Sequence, residues 1–352
     1  MNLSPLHQIF SDVTTRAAQF YKNSIPLSGQ QTLSSLKQFL TPTFANYNSP
    51  KQNDVIFHRL SQNFSPVLAQ QDNSRQVKDE AAQKLWSSLS GEIKQQITKA
   101  VAGHKNDVEF KEMLGATISD PKFSKLDATG QSVVITHLDR IACTDSYLKM
   151  KRPERLASMY VITDLSFYAV AHPKFKMAWN TLEHITSGRV KMGIENLSTT
   201  NLNDSRGSYD PKTNTMYFNI GNANLLKDSQ GLMRTAAHEI NHALNSRAAN
   251  NRVEVFLDEY RAFYVQGAAT GEYPPSSTKM KQHVTNLLNH PIYNFSLEKS
   301  KDSDFRKVID TILLKLDRGE VMDPEELRQN LLALQGREKS VYLNTKPNMD
   351  NH

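Results

Sequence analysis

The sequence predicts an α+β protein that is mostly helical and contains one small antiparallel sheet. Apolar residues recur at helical spacing along most of the chain, whereas the segment 190–220 alternates apolar and polar residues with the two-residue period of strands. Two consecutive helices are expected directly after this segment. The predicted order is a helical region, a short strand region, a helix pair and further helices.

The first 150 residues are expected to form a helical N-terminal region. Amphipathic periodicity predicts two short helices before residue 41, a loop over 42–73, and longer helices over 81–101 and 133–142 with a break at Gly91. No catalytic grouping stands out in this region. Its isolated histidines are expected to be packing or surface residues rather than ligands; they are His7, His58, His104 and His137.

Residues 151–336 are expected to form a second domain, and 337–352 a polar tail. Two helices are predicted up to Gly188, followed by a strand over 190–194 and a hairpin that turns at Asp210-Pro211. Later helices are predicted over 280–288, over 305–316 with a cap at Ser303-Asp304, and from Pro324 to a stop at Gly336.

The segment with the strongest chemical signal is Thr235–Asn245, TAAHEINHALN, which contains His238, Glu239 and His242 in the pattern HExxH. On a helix, residues i and i+4 share one face, so the two imidazoles can bind one metal ion. Glu239 would be the base beside a metal-bound water. An apolar stripe is expected on the helix beside the histidines: Leu232, Met233, Ala236, Ala237, Ile240, Ala243 and Leu244.

A catalytic zinc site needs a third protein ligand, and the next helix supplies candidates. Asn250-Asn251 is expected to break the first helix, and a second is predicted from Arg252 to Gln266. His242 and Glu259 are each about eight residues from this break, so on antiparallel helices they lie level. Asp258 ranks second because it is rotated by about 100° and is shorter, while Glu254 is better explained by helix capping.

At these residues the chain resembles a known family. HEINHALN followed by FLDEYRAFYVQG is similar to the zincin metalloproteases, in the branch where a Glu from the next helix completes the zinc site. Within that branch it resembles secreted bacterial effector and toxin proteases. The resemblance covers about residues 190–271 and implies a Zn²⁺ cofactor, with His238, His242 and Glu259 as ligands and Glu239 as catalytic base.

The resemblance also implies a protein or peptide substrate, which for an effector would be a host protein. In zincins an edge strand before the metal helix pairs with extended substrate, so Tyr217 and Asn219 are candidate substrate-binding residues, with an ordinary half-buried strand as the alternative. One departure is Phe263, which stands where thermolysin-like enzymes have an acidic residue. The group that orients His238 is therefore open. The oxyanion donor is open as well, because Arg261, Tyr264 and Tyr273 are all candidates and none is favoured.

Composition excludes several classes of protein. The net charge of +6 is modest for 352 residues and the basic residues are scattered, so nucleic-acid binding is not expected. No apolar run approaches about 18 residues, so stable membrane insertion is not expected either. The single cysteine, Cys143, excludes an internal disulfide and a zinc site made of cysteines, and is expected to pack as a small hydrophobe.

The N-terminus lacks the basic start and apolar core of a Sec signal peptide, so synthesis in the bacterial cytoplasm is expected, with any export into a host cell by another route. Two other functions stay open. One is a non-catalytic helical interaction protein in which HExxH is fortuitous or only binds metal, and the other is a housekeeping cytosolic zinc peptidase.

Overall fold

A computed structural model describes residues 85–197, 205–222, 225–226, 228–245, 252–290, 293 and 295–334. Over these residues the protein is α+β and mostly helical, which confirms the predicted fold class. The chain divides into two compact units. One unit takes Met1–Ala171, Ile185–Arg206 and Tyr217–Ser229, and the other takes His172–His184, Gly207–Met216 and Gln230–His352. The predicted boundaries at residues 150 and 336 stay predictions.

The first unit is built on a long buried helix. In chain order its helices are α1 (Gly91–Gly103), α2 (Val108–Ser119), α3 (Pro121–Ser124), α4 (Ala128–Ala142), α5 (Asp145–Lys149) and α6 (Arg152–Ala171). The next helix, α7 (Lys176–Thr186), is assigned to the second unit up to His184. Helix α6 packs against α2 and α4. Its residues Met159, Ile162 and Leu165 are fully buried, because this helix is apolar on nearly all sides.

Side-chain caps explain where several of these helices begin. Ser90, Asp107 and Asp127 each accept a hydrogen bond from the backbone N–H three residues later. The cap at Ser90 confirms the predicted break at Gly91. The helices predicted before residue 81 and the loop over 42–73 lie outside the described residues.

The sheet consists of β1 (Lys191–Glu195), β2 (Gly207–Asp210) and β3 (Thr215–Asn219), with β3 in the middle. Asp210 stabilises the turn between β2 and β3, because its carboxylate accepts bonds from the Lys212 N–H and the Thr213 hydroxyl. The predicted strand and hairpin are confirmed. The expectation of an antiparallel sheet was wrong in part, because the sheet is mixed. The hairpin strands β2 and β3 are antiparallel, so the parallel pairing is the one between β1 and β3.

The second unit contains the helix pair and the helices that cover it. These are α8 (Ser229–Asn245), α9 (Arg252–Gln266), a 3-10 turn (Gly267–Thr270), α10 (Ser277–Asn289), α11 (Phe295–Lys301), α12 (Ser303–Asp317) and α13 (Pro324–Leu334). Phe256 on α9 is fully buried and meets Phe295 and Phe305 edge to face, with ring centroids 5.4 and 5.5 Å away. Tyr260 donates its hydroxyl to the Met322 carbonyl at 2.9 Å. The apolar face of α9 is therefore fixed in the core.

Most predicted helix boundaries in this unit are confirmed, and α9 begins and ends at the predicted residues. The predicted cap of α12 at Ser303-Asp304 was wrong by one residue, because the Asp302 carboxylate accepts the Phe305 N–H at 3.0 Å. Helix α11 was not predicted. The expected breaks at Asn250-Asn251 and at Gly336 lie outside the described residues.

Among the described helices, none combines the length and apolar character that crossing a bilayer requires.

Two glycines with positive φ provide a matched test of packing after the 3-10 turn. Gly271 has φ +77°, and a Cβ there would lie 2.6 Å from Cζ of Phe175, whereas Gly319 has φ +83° and open space within 4 Å. We expect Gly319→Ala to lower the free energy of unfolding by about 1–2 kcal/mol, the cost of left-handed backbone.

In Gly271→Ala the free energy of unfolding should fall by about 1–3 kcal/mol more than in Gly319→Ala, because the methyl group overpacks the Phe175 ring. Urea unfolding of both variants checks this. Equal losses in the two variants would show that the ring moves aside without cost.

Candidate metal centre

Helix α8 presents His238 and His242 on one side and apolar residues on the other. The two imidazoles lie one helical turn apart, with ring centroids 4.8 Å away and planes at 76°. Leu232, Met233 and Ile240 are buried and anchor the helix. Leu244, predicted to belong to the apolar stripe, is instead 53% exposed and lies in the last described turn of the helix.

Helix α9 runs antiparallel to α8, as three pairs of contacts show. His242 contacts Asp258, His238 contacts Glu259, and Arg234 donates to the Thr270 hydroxyl beyond the end of α9. Residues earlier in α8 thus contact residues later in the chain. This arrangement follows from the buried face of α9, which turns Glu259 and Phe263 toward the histidines.

The structure brings the three predicted ligands together. Glu259 Oε2 lies 3.4 Å from His238 Nε2 and 3.8 Å from His242 Nε2, and one ligand atom from each residue lies within 4.8 Å of the others. Their side chains are 12%, 12% and 13% exposed for His238, His242 and Glu259, so the group is screened from bulk water but not sealed. This is a candidate metal-binding group made of two imidazoles and one carboxylate.

The donor set and its spacing fit a tetrahedral divalent ion. Imidazole nitrogen and carboxylate oxygen bound to one zinc ion at tetrahedral angles would be about 3.4 Å apart, from the usual bond lengths. The His238–Glu259 separation already has this value, and the His242–Glu259 separation exceeds it by only a few tenths of an ångström. Three protein ligands also leave a fourth position for water or substrate, as in catalytic zinc sites.

Asp258 and Tyr293 orient two of the three candidate ligands. Asp258 Oδ2 lies 2.7 Å from Nδ1 of His242, on the opposite side of the ring from Nε2. Tyr293 donates its hydroxyl to Glu259 Oε1 at 2.8 Å, which leaves Oε2 for the histidines. Outer contacts of this kind set the tautomer and the direction of metal ligands. Asp258, ranked second as a ligand from the sequence, therefore supports His242 and does not join the candidate group.

Besides the Glu259 carboxylate, an aromatic ring packs against His238. Phe263 lies one turn after Glu259 on α9 and meets the His238 ring edge on, with centroids 4.7 Å apart. Phe263 also stacks on His283 of α10, with ring centroids 4.2 Å apart and planes at 15°. Gln266 reaches the same imidazole, with its Nε2 at 3.4 Å from Nε2 of His283. Phe263 thus restricts the His238 ring by packing.

The electrostatics of the group favour a positive charge at its centre. Burial raises the pKa of the Glu259 carboxyl, but the His238 hydrogen bond and the two imidazoles outweigh it and hold the pKa at about 2. Burial lowers the pKa of His242, yet the Asp258 hydrogen bond and the Glu259 charge raise it to about 9. Near neutral pH, Glu259 is therefore ionised and His242 carries an extra proton. Both pKa shifts indicate that the centre of the group stabilises a positive charge.

The other predicted site residues are placed as follows. Glu239, which follows His238 on α8, is 7% exposed. Tyr217 is partly buried and Asn219 fully buried in the first unit, where the Asn219 amide donates to the Ser205 carbonyl and accepts the Leu197 and Gly221 N–H groups. Those bonds give Asn219 a structural role in the strand exit. The expectation of an edge strand here was wrong, because β3 is the middle strand and is paired on both sides. The assignment of Tyr217 and Asn219 to substrate binding stays a prediction.

Of the oxyanion candidates, Tyr264 and Tyr273 lie against each other in the core cluster, with ring centroids 5.5 Å apart. Sequence reasoning missed Tyr293, which carries no local signal because it lies 34 residues beyond the carboxylate that it contacts. Its phenol has a raised pKa, from burial and the nearby Glu259 charge, so it stays a hydrogen-bond donor.

No known protein family, no curated protein and no solved structure matches this chain.

Asp258→Asn tests the support of His242. The variant exchanges a charged acceptor for a neutral one, and we expect zinc affinity to fall about 10–100-fold, the usual effect of losing an outer contact. Titration against a chelator measures the affinity. Glu254→Gln, one turn earlier on α9, is the matched control and should leave the affinity unchanged. Equal affinities in Asp258→Asn and the wild type would show that the Asp258 bond does not orient a ligand.

Proposed function

We propose that this protein is a zinc-dependent endopeptidase that hydrolyses a peptide bond in a protein substrate. The observation that carries the proposal is the convergence of His238, His242 and Glu259, with an acidic residue directly after the first histidine. Several zinc peptidases bind zinc through two imidazoles and one carboxylate. The HExxH spacing predicts that Glu239 acts as the general base of this protein.

When bound, zinc supplies Lewis-acid chemistry, since it lowers the pKa of a coordinated water to about 7 and polarises a carbonyl. The residues of the chain move the protons and hold the geometry. The Glu239 carboxylate accepts a proton from the attacking water and then donates it to the nitrogen of the leaving amine. When His242 is neutral, as a metal ligand must be, the Asp258 contact favours the proton on Nδ1 and leaves the Nε2 lone pair facing the group.

Burial of the site contributes to this chemistry. The three candidate ligands and Glu239 are each less than one seventh exposed, so their charges interact more strongly than at an open surface. The uncharged ring of Phe263 packs against the His238 imidazole. Tyr293 is the positioning residue for Glu259, because its hydroxyl occupies the oxygen that does not face the histidines.

We further propose that the substrate is a host protein and that the enzyme is a secreted bacterial effector. This part rests on the resemblance of residues 190–271 to effector and toxin proteases. A housekeeping cytosolic zinc peptidase is the alternative among enzymes, and a helical interaction protein is the alternative outside them. Zinc content, cleavage by variants of the motif and cleavage in two kinds of lysate separate these three functions.

Variants of the motif distinguish metal binding from proteolysis. We expect Glu239→Gln to keep its zinc and to lose activity by about 10²–10⁴-fold, the usual contribution of a general base. His238→Ala and Glu259→Ala should each lose one equivalent of zinc relative to the wild type, together with activity. Elemental analysis measures zinc, and labelling of new protein N-termini in a cell lysate measures cleavage.

Glu254→Gln is the control for both measurements and should behave as the wild type. Full cleavage by Glu239→Gln would overturn the mechanism. Zinc content unchanged in both His238→Ala and Glu259→Ala would overturn the site.

The same N-terminal labelling compares an effector with a general peptidase. Incubated with a eukaryotic lysate and, separately, with a bacterial lysate, the wild-type protein should produce new N-termini in one or a few eukaryotic proteins. An effector has a restricted recognition surface, so most proteins should stay intact. Broad turnover in both lysates would favour the housekeeping peptidase, and no new N-termini in either would favour the interaction protein.

A further inference from the structure

A second group of potential metal ligands lies in the first unit. His104, Asp139 and Cys143 each offer one ligand atom, and these atoms lie within 4.8 Å of one another. The expectation that Cys143 packs as a small hydrophobe was wrong, because its side chain is exposed at the end of α4. His104, isolated in sequence and expected to be a packing or surface residue, has two potential partners in space. Sequence separations of 35 and 39 residues concealed this group.

Two helix ends create the group. Asp139 and Cys143 are four residues apart, so they lie on one face where α4 ends, with the same spacing as the histidines of HExxH. His104 directly follows the last residue of α1. The two helices are tied together by Gln96, whose amide donates to the Ser132 carbonyl at 3.0 Å and to the Thr136 hydroxyl at 2.9 Å. The relative position of the three residues is therefore fixed.

The geometry distinguishes a metal site from a cysteine nucleophile. Asp139 Oδ1 lies 3.0 Å from Nε2 of His104, and Cys143 Sγ lies 3.7 Å from the same nitrogen. In a catalytic relay the imidazole uses one nitrogen for the nucleophile and the other for the carboxylate. Here all three ligand atoms approach one point, which is what a bound cation requires.

The spacing and the donor types agree with a zinc-like ion. Around such an ion, nitrogen and sulfur would be about 3.6 Å apart and nitrogen and oxygen about 3.4 Å, from the usual bond lengths. The His104–Cys143 distance of 3.7 Å already fits. Asp139 must move outward by a few tenths of an ångström, which its 44% exposed side chain allows. His104 is held in place by its ring contact with Phe110 at 4.2 Å.

We propose that His104, Asp139 and Cys143 form a second, solvent-accessible site for a divalent transition metal of the zinc class. A thiolate and an imidazole select zinc, cobalt, nickel or copper over magnesium and calcium, which prefer oxygen ligands. The exposed position of Cys143 leaves room for a fourth ligand from solvent. This site is independent of the HExxH group, which contains no sulfur.

Cobalt binding tests this site directly, because Cys143 is the only cysteine of the chain. In the metal-free full-length protein, Co²⁺ should produce a thiolate-to-cobalt charge-transfer band in the near ultraviolet. The band should persist in the His238→Ala/His242→Ala double variant and vanish in Cys143→Ser. Because the HExxH group cannot produce it, failure here would leave the proposed peptidase function untouched.

The variants His104→Gln and Asp139→Asn keep the sulfur and test convergence. Each should weaken cobalt affinity by more than about 100-fold, since a direct ligand contributes more than an outer contact does. Asp145→Asn, two residues after Cys143, is the control and should bind as the wild type. Thermal unfolding checks that Asp139→Asn, changed at an exposed side chain, stays folded. Absence of the band in the wild type, or unchanged affinity in Asp139→Asn, would overturn the proposal.

Discussion

The carboxylate of Glu259 between two imidazoles is the interaction on which the candidate metal centre depends. Two histidines one turn apart on α8 already face the same way, but a third donor must come from a different helix at the same height and rotation. Glu259 meets both conditions, with contacts of 3.4 and 3.8 Å. A shift of α9 by one residue would move it about 1.5 Å along the axis and rotate it by about 100°, which would separate the donors.

The core of the second unit sets that rotation. Phe256, three residues before Glu259, and Tyr260, directly after it, are fully buried, and the Tyr260 hydroxyl is bonded to the Met322 carbonyl. Packing and this bond fix the phase of the helix. The contacts of Asp258 and Tyr293 then select which nitrogen and which oxygen face inward. Helix α9 therefore packs in the core and, through the same fixed rotation, directs Glu259 toward the histidines.

The two candidate metal groups use one structural rule with different chemistry. In each, two donors lie four residues apart on a helix and the third comes from another helix. The HExxH group is mostly buried, and Glu239, directly after His238, can act as a base. The His104 group is open and contains a thiol, and none of its three residues is followed by an acidic residue. The first arrangement suits catalysis on a bound substrate, and the second suits metal binding at the surface.

Local patterns in the sequence determined many of the elements and the three candidate ligands. Periodicity placed α9 from Arg252 to Gln266, the i, i+4 rule paired His238 with His242, and equal distance from the expected break selected Glu259, because these relations are short-range and depend on helix geometry alone. Only the tertiary structure decided the contacts of Tyr293 with Glu259 and of His104 with Cys143. Those pairs are 34 and 39 residues apart, and their proximity depends on how whole helices pack, for which no local pattern exists.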